Sequence, residues 1–198
     1  MNQDQKANLD KLWNAVELDQ WNVCREIIGI LLPQINPIDV AQMIAKQARR
    51  FLSDLSQFNS QDENLVQAID LFNDIPSLEV LNQQGKQVHA LLEKYWKWPG
   101  VSNFRNAMKG ISKPQQYFEH DGEYKDTVVS IISGILMAIA TNAYWGGNDE
   151  FSRTFFGSDN RAALMMLVKA NKDPKNVEIR KSLWTELADE IQSAIYRE

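Results

Sequence analysis

The sequence predicts an all-α protein, a single-domain orthogonal bundle of about seven to eight helices with a central apolar helix near residues 127–145. Three observations predict it. Apolar residues recur at steps of three and four along most of the chain, the period of one helix face. No segment alternates apolar and polar residues as a half-buried strand does. One run, Thr127 to Asn148, carries no charged side chain, as the enclosed helix of a bundle requires.

The first helix is expected in ANLDKLWNAVEL, where Leu9, Leu12, Trp13 and Val16 share a face. A second follows through Trp21, Cys24, Ile27, Ile28 and Leu31 or Leu32, with Asp19 as its N-cap. Pro33 and Pro37 end it, because proline donates no backbone N–H. A third opens with proline in its first turn and turns Val40, Ile44, Ala48, Phe51, Leu52 and Leu55 inward. Ser60 and Glu63 stand at capping-box spacing and start a fourth, with Leu65, Ile69 and Phe72 inward and Pro76 beyond its end. The fifth carries Leu78, Leu81, Val88, Leu91, Leu92 and Tyr95; Gly85 weakens it and Pro99-Gly100 stops it.

A short sixth helix, VSNFRNAMKGI, takes Ser102 or Asn103 as its cap. Residues 113–125 are expected to be irregular. The uncharged run then forms the seventh helix, from a cap at Asp126 to a stop at Gly146-Gly147. An eighth begins at Ser158 or Asp159 and is broken by Pro174. The last sets Ile179, Leu183, Leu187, Ile191 and Ile195 at steps of four. The same pattern admits two sub-lobes, 1–98 and 113–198, joined by 99–112.

A helix over the uncharged run would be roughly 28 Å long, close to the thickness of a bilayer core. Its polarity argues against a membrane: Ser130, Ser133, Thr141 and Asn142 interrupt it, and the flanking charges show no clear asymmetry. Ser130, Gly134, Ala138 and Thr141 form a stripe of small residues that lets a neighbouring helix pack close. Val128, Ile131, Ile132, Ile135, Ile139 and Ala143 cover much of the remaining surface. The expectation is a central helix in aqueous solution, with no membrane partner.

Composition is that of an ordinary globular chain, 44% hydrophobic and 24% charged over 198 residues. The net charge of −5 gives no bulk attraction to nucleic acid or anionic lipid. Cys24 is the one cysteine, set among apolar residues, and reads as a buried, inert thiol in a reducing compartment. The stretch MNQDQKANLDKLW has no apolar signal region, and the cytoplasm is the expected location.

Two segments carry residue types with chemical potential. EHDGEYKD supplies Glu119, His120, Asp121, Glu123 and Asp126, a donor set suited to a hard or borderline cation and hence to a small metal-dependent hydrolase. Its spacing matches no established metal loop, and acids before a helix are favoured by the helix dipole alone, so no metal or other cofactor is assigned. ELADE, with Glu186 and Asp189 at i and i+3, resembles the acidic motif of the helical nucleotide pyrophosphohydrolases. The doubled-glutamate helix those enzymes pair with it is missing, and the chain is assigned to no family.

The second segment, KYWKWPGVSNFRNAMKGISK, combines Lys94, Lys97, Arg105, Lys109 and Lys113 with Tyr95, Trp96, Trp98 and Phe104, and contains no acid. Interleaved aromatics and cations can stack on bases of a single strand, or anchor an acidic protein or peptide, where Trp, Tyr and Arg dominate binding energy. A purely structural reading competes: one tryptophan plugs the core at a helix end. Since Tyr95 follows the inward stripe, Trp96 and Trp98 cannot both do so. A further cluster, Phe151, Arg153, Phe155, Phe156 and Arg161, reads as core packing under a loop. The expected function is a non-enzymatic interaction module, adaptor, regulatory or assembly, docking a protein or peptide through Trp96, Trp98, Phe104, Arg105 and Lys109. Nucleic-acid binding through 94–113 and metal-dependent hydrolysis at 119–126 are the alternatives.

Overall fold

The computed structural model describes residues 2–57, 62–111, 121–147, 151, 155, 157 and 160–197. Among the described residues there are nine α-helices and no strand: α1 (Gln3–Glu17), α2 (Trp21–Leu31), α3 (Pro37–Ser56), α4 (Glu63–Asp70), α5 (Leu78–Leu91), α6 (Val101–Ile111), α7 (Asp121–Trp145), α8 (Asn160–Lys172) and α9 (Pro174–Arg197). Single 3-10 turns follow α2 and α5.

The axis of the bundle is α7, on which α2, α3, α6 and α9 all pack. Val128, Ile131, Ile132, Ile135, Ala138 and Ile139 are buried there. Thr127–Trp145 is long and apolar enough to cross a membrane by length and composition, and 56% of it is buried inside the protein. Three of its polar side chains, Ser133, Thr141 and Asn142, find partners within the fold. Thr141 Oγ1 donates to Met137 O at 2.7 Å and Ser133 Oγ to Val129 O at 2.6 Å. Buried Asn142 accepts a hydrogen bond from Trp98 Nε1 at 3.1 Å.

The stripe of small residues brings α6 close to α7. A Cβ on Gly134 would lie 3.4 Å from Ala107 Cβ and 3.7 Å from Asn103 O. Gly100 approaches closer still: a Cβ there would sit 2.3 Å from the backbone oxygen of Ala138. Ser130 and Ala143, by contrast, are exposed.

The last helix clasps the first three. Trp13 Nε1 of α1 donates to Gln192 at 2.8 Å, and Lys46 of α3 pairs with Glu190 at 2.7 Å. Arg50 of α3 pairs with Glu186. The acids of ELADE are therefore partly spent on interhelical ties, while Asp189 stays exposed. Such part-exposed pairs stabilise by about 0–1 kcal/mol each and mainly fix how the helices sit against one another.

Several local expectations are corrected. Asp19 does not cap α2: α2 has no side-chain cap, and Asp19 adopts φ +53, a left-handed conformation that aspartate tolerates. From that turn its carboxylate holds Arg180 of α9, accepting from Nε at 3.2 Å and Nη2 at 2.5 Å. The cap of α4 is Asp62, which accepts from Asn64 N–H at 2.9 Å; Ser60 lies outside the described residues. Helix α6 begins at Val101, ahead of Ser102 and Asn103, and Phe104 N–H donates to Gly100 O at 2.9 Å. The segment expected to stay irregular up to Lys125 is helical from Asp121, so Asp126 is an interior position of α7. Ser158 and Asp159, the expected start of the eighth helix, lie outside the described residues. Cys24 is a free thiol buried as its apolar neighbours implied, and burial pushes it up to about 11.

Candidate functional site

The basic-aromatic segment does not form one surface. Phe104 is fully enclosed and stacks on Phe51 of α3 with ring centroids 4.4 Å apart. Its place follows from period: Val101, Phe104, Met108 and Ile111 are three or four residues apart and all buried. Trp98 is half-buried, packs against the core and uses its indole N–H on Asn142. Trp96 is the tryptophan at the surface, 48% exposed, with the Lys97 ammonium 5.1 Å from its ring centroid. Arg105 is half-buried and donates from Nε to His89 O at 3.3 Å, and Lys109 is exposed. Burial first, then the charges of Arg105 and Lys109, hold the His89 imidazole below its ordinary range.

Two members of the segment are tied to α4. Lys94 pairs with Asp62 at 2.5 Å, and the Tyr95 hydroxyl donates to the same carboxylate. The Lys94 hydrogen bond, followed by that of Tyr95, holds Asp62 down to about 2; burial, and then the Asp62 contact, raises the Tyr95 hydroxyl above the usual tyrosine range. A pH dependence follows. An unfolded aspartate titrates near 3.8 and Asp62 in the fold near 2. The tie is therefore whole above about pH 4, weakens between about pH 4 and 2, and is lost below. Asp62→Asn, which keeps a competent cap, should flatten the fall of denaturation stability across that window. Equal slopes in the two proteins would show that the tie does not form in solution.

The segment 119–126 offers little to build on. Glu119 and His120 lie outside the described residues, while Asp121, Glu123 and Asp126 are backbone positions in the first turns of α7. Among the described residues no group of three or more His, Cys, Asp or Glu stands close enough to hold a metal ion. In the second aromatic cluster, buried Phe151 stacks on Phe155 at 5.2 Å and meets Trp145 at 5.6 Å, so the chain after α7 packs on the helix end. Arg153 and Phe156 lie outside the described residues, and Arg161 is exposed.

The surface that sequence reasoning missed is α8. Its principal packing partner is α9. Leu164 is 60% and Met165 52% exposed, and Leu167 and Val168 are exposed beside them, whereas Ala170 is the residue it buries. Residues i, i+1, i+3 and i+4 of a helix form one continuous patch. Arg161, Lys169 and Lys172 accompany it, and residues 160–172 contain no acid. The signal that singled out 94–113, cations with apolar residues and no acid, was thus present in 160–172 as well. No protein-family model, curated protein or solved structure matches this chain.

Proposed function

We propose that this chain is a non-enzymatic helical interaction module that works in the cytoplasm and docks an acidic protein partner through α8. The observation that carries the reading is the exposure of Leu164 and Met165 on a helix with three cations and no acid. Isolated exposed apolar residues are ordinary, but a contiguous patch rimmed by charge marks an interaction site. The rim chooses the partner: its apolar anchors engage a hydrophobic strip, and Arg161, Lys169 and Lys172 favour carboxylates around that strip. Trp96 and Lys109 are separate surface features and are not needed for this docking.

The test places a photo-crosslinking residue at Leu164 and identifies what is trapped in native extract. Met165→Asp combined with Val168→Asp should reduce capture at least about tenfold, because interface anchors contribute on the order of 1–2 kcal/mol each. The same change should shift Tm by less than about 2 °C, since both side chains already face solvent. Capture that survives the double change rejects α8 as the docking face. Trapping only a second copy of this chain, or only nucleic acid with a steep salt dependence, replaces the acidic protein with that partner.

A further inference from the structure

The docking helix is held at one end. Of residues 161–172 only Ala170 is buried, and the principal packing partner of α8 is α9. The last carbonyls of a helix have no partner within it. Two side chains of α9, four residues apart and both buried, take those of α8. Asn176 Nδ2 donates to Ala170 O at 3.0 Å, and Arg180 Nη2 to Asn171 O at 3.0 Å.

Arg180 is held in turn by Asp19, which lies between α1 and α2. Its Nε and Nη2 donate to that carboxylate at 3.2 and 2.5 Å. One buried guanidinium thus joins the α1–α2 turn to the tail of α8.

The turn is built to present that carboxylate. Asp19 N–H donates to Val16 O at 3.1 Å and Gln20 N–H to Ala15 O at 2.8 Å. These two bonds close a helix around a residue in the left-handed conformation, where glycine is usual because it has no side chain to strain. Asp19 occupies that position with φ +53. An outlier of this kind points to a role for its side chain, and the partner of this one is Arg180.

We infer that Asp19 and Arg180 form a clamp that positions α8, so that the hairpin of α1 and α2 sets how Leu164, Met165, Leu167 and Val168 are presented to a partner. The inference rests on docking through α8 and adds what controls it. Arg180 is a positioning residue: it grips the carbonyl end of α8, one to two turns beyond the apolar patch. Without the clamp, one buried side chain and the Asn176 bond are left to order that end of a thirteen-residue helix. A patch ordered in advance binds without the cost of ordering on contact.

The test combines Asp19→Gly, which suits the turn, with Arg180→Met, which removes the buried charge that would otherwise stand unpaired. Hydrogen exchange is followed on the full chain with no partner present. Amides of 164–172 should exchange at least about tenfold faster than in the parent protein, while those of 131–140 in α7 keep their rates. Capture through the photo-crosslinking residue at Leu164 should fall about threefold or more. Asp19→Asn tolerates the left-handed turn and leaves a neutral acceptor, so it should speed α8 exchange less; it decides the matter if the double variant does not fold. Unchanged exchange in α8, equal acceleration in α7, or a loosened α8 with undiminished capture each overturns the inference. A parent protein that captures nothing refutes docking through α8 instead, and the exchange rates still decide whether the clamp holds that helix.

Discussion

Gly100→Ala is expected to lower unfolding stability by about 2–5 kcal/mol, because two penalties fall on one methyl group. The first is conformational. Gly100 has φ +85, where a side chain costs about 1–2 kcal/mol. The second is steric. The new Cβ would stand 2.3 Å from Ala138 O and 3.1 Å from Phe51 Cε2. A backbone oxygen in the middle of α7 cannot swing aside as a side-chain tip can, so α6 must lift from the central helix. Overpacking of this kind costs about 1–3 kcal/mol. Gly157→Ala is the control: a Cβ at Gly157 meets nothing within 4 Å, and its stability should be unchanged. Chemical denaturation of the two variants provides the comparison. A loss below about 1 kcal/mol at Gly100 would show that α6 and α7 do not approach so closely.

Phe104→Ala is expected to cost about 3–5 kcal/mol, the range for deleting a buried aromatic ring. The side chain is enclosed completely, and its stacking on Phe51 adds to the area it buries. As a surface anchor, which the composition of its segment suggested, the same substitution would leave stability intact and affect only capture of a partner. Denaturation midpoint and slope separate the alternatives: a lowered midpoint with unchanged slope places Phe104 in the core.

The fate of Phe104 shows what the sequence could and could not convey. Period was legible. The inward stripes of α1, α3 and α9 follow from residues three and four apart, and burial obeys them except that Trp13 and Ile179 are part-buried, while α7 is buried on most of its apolar face and open at Ser130 and Ala143. Phe104 obeyed the same rule through Val101, Met108 and Ile111, but a cluster of cations and aromatics drew attention to residue type rather than direction. Asp19 departs from expectation for a different reason. A capping residue and an ion-pair partner look alike locally, and its partner, Arg180, is remote in sequence. Asp62 displaced Ser60 as the cap of α4 because carboxylates and hydroxyls serve that role equally well. On α8 the helix was legible, yet the exposure of its apolar side was not. Amphipathicity says that one face wants cover and does not say whether this chain supplies it.

The contact between α1 and α9 also bears on how the protein is made. Leu12 and Trp13 emerge from the ribosome long before Gln192 and its helix exist. At about 5–20 residues per second, that interval is on the order of ten seconds or more. Throughout it α1 has α2 as a neighbour, while the flank that α9 will cover stays bare. This polypeptide should therefore depend on holdase chaperones during translation more than one whose first helix is covered entirely by its neighbours in sequence.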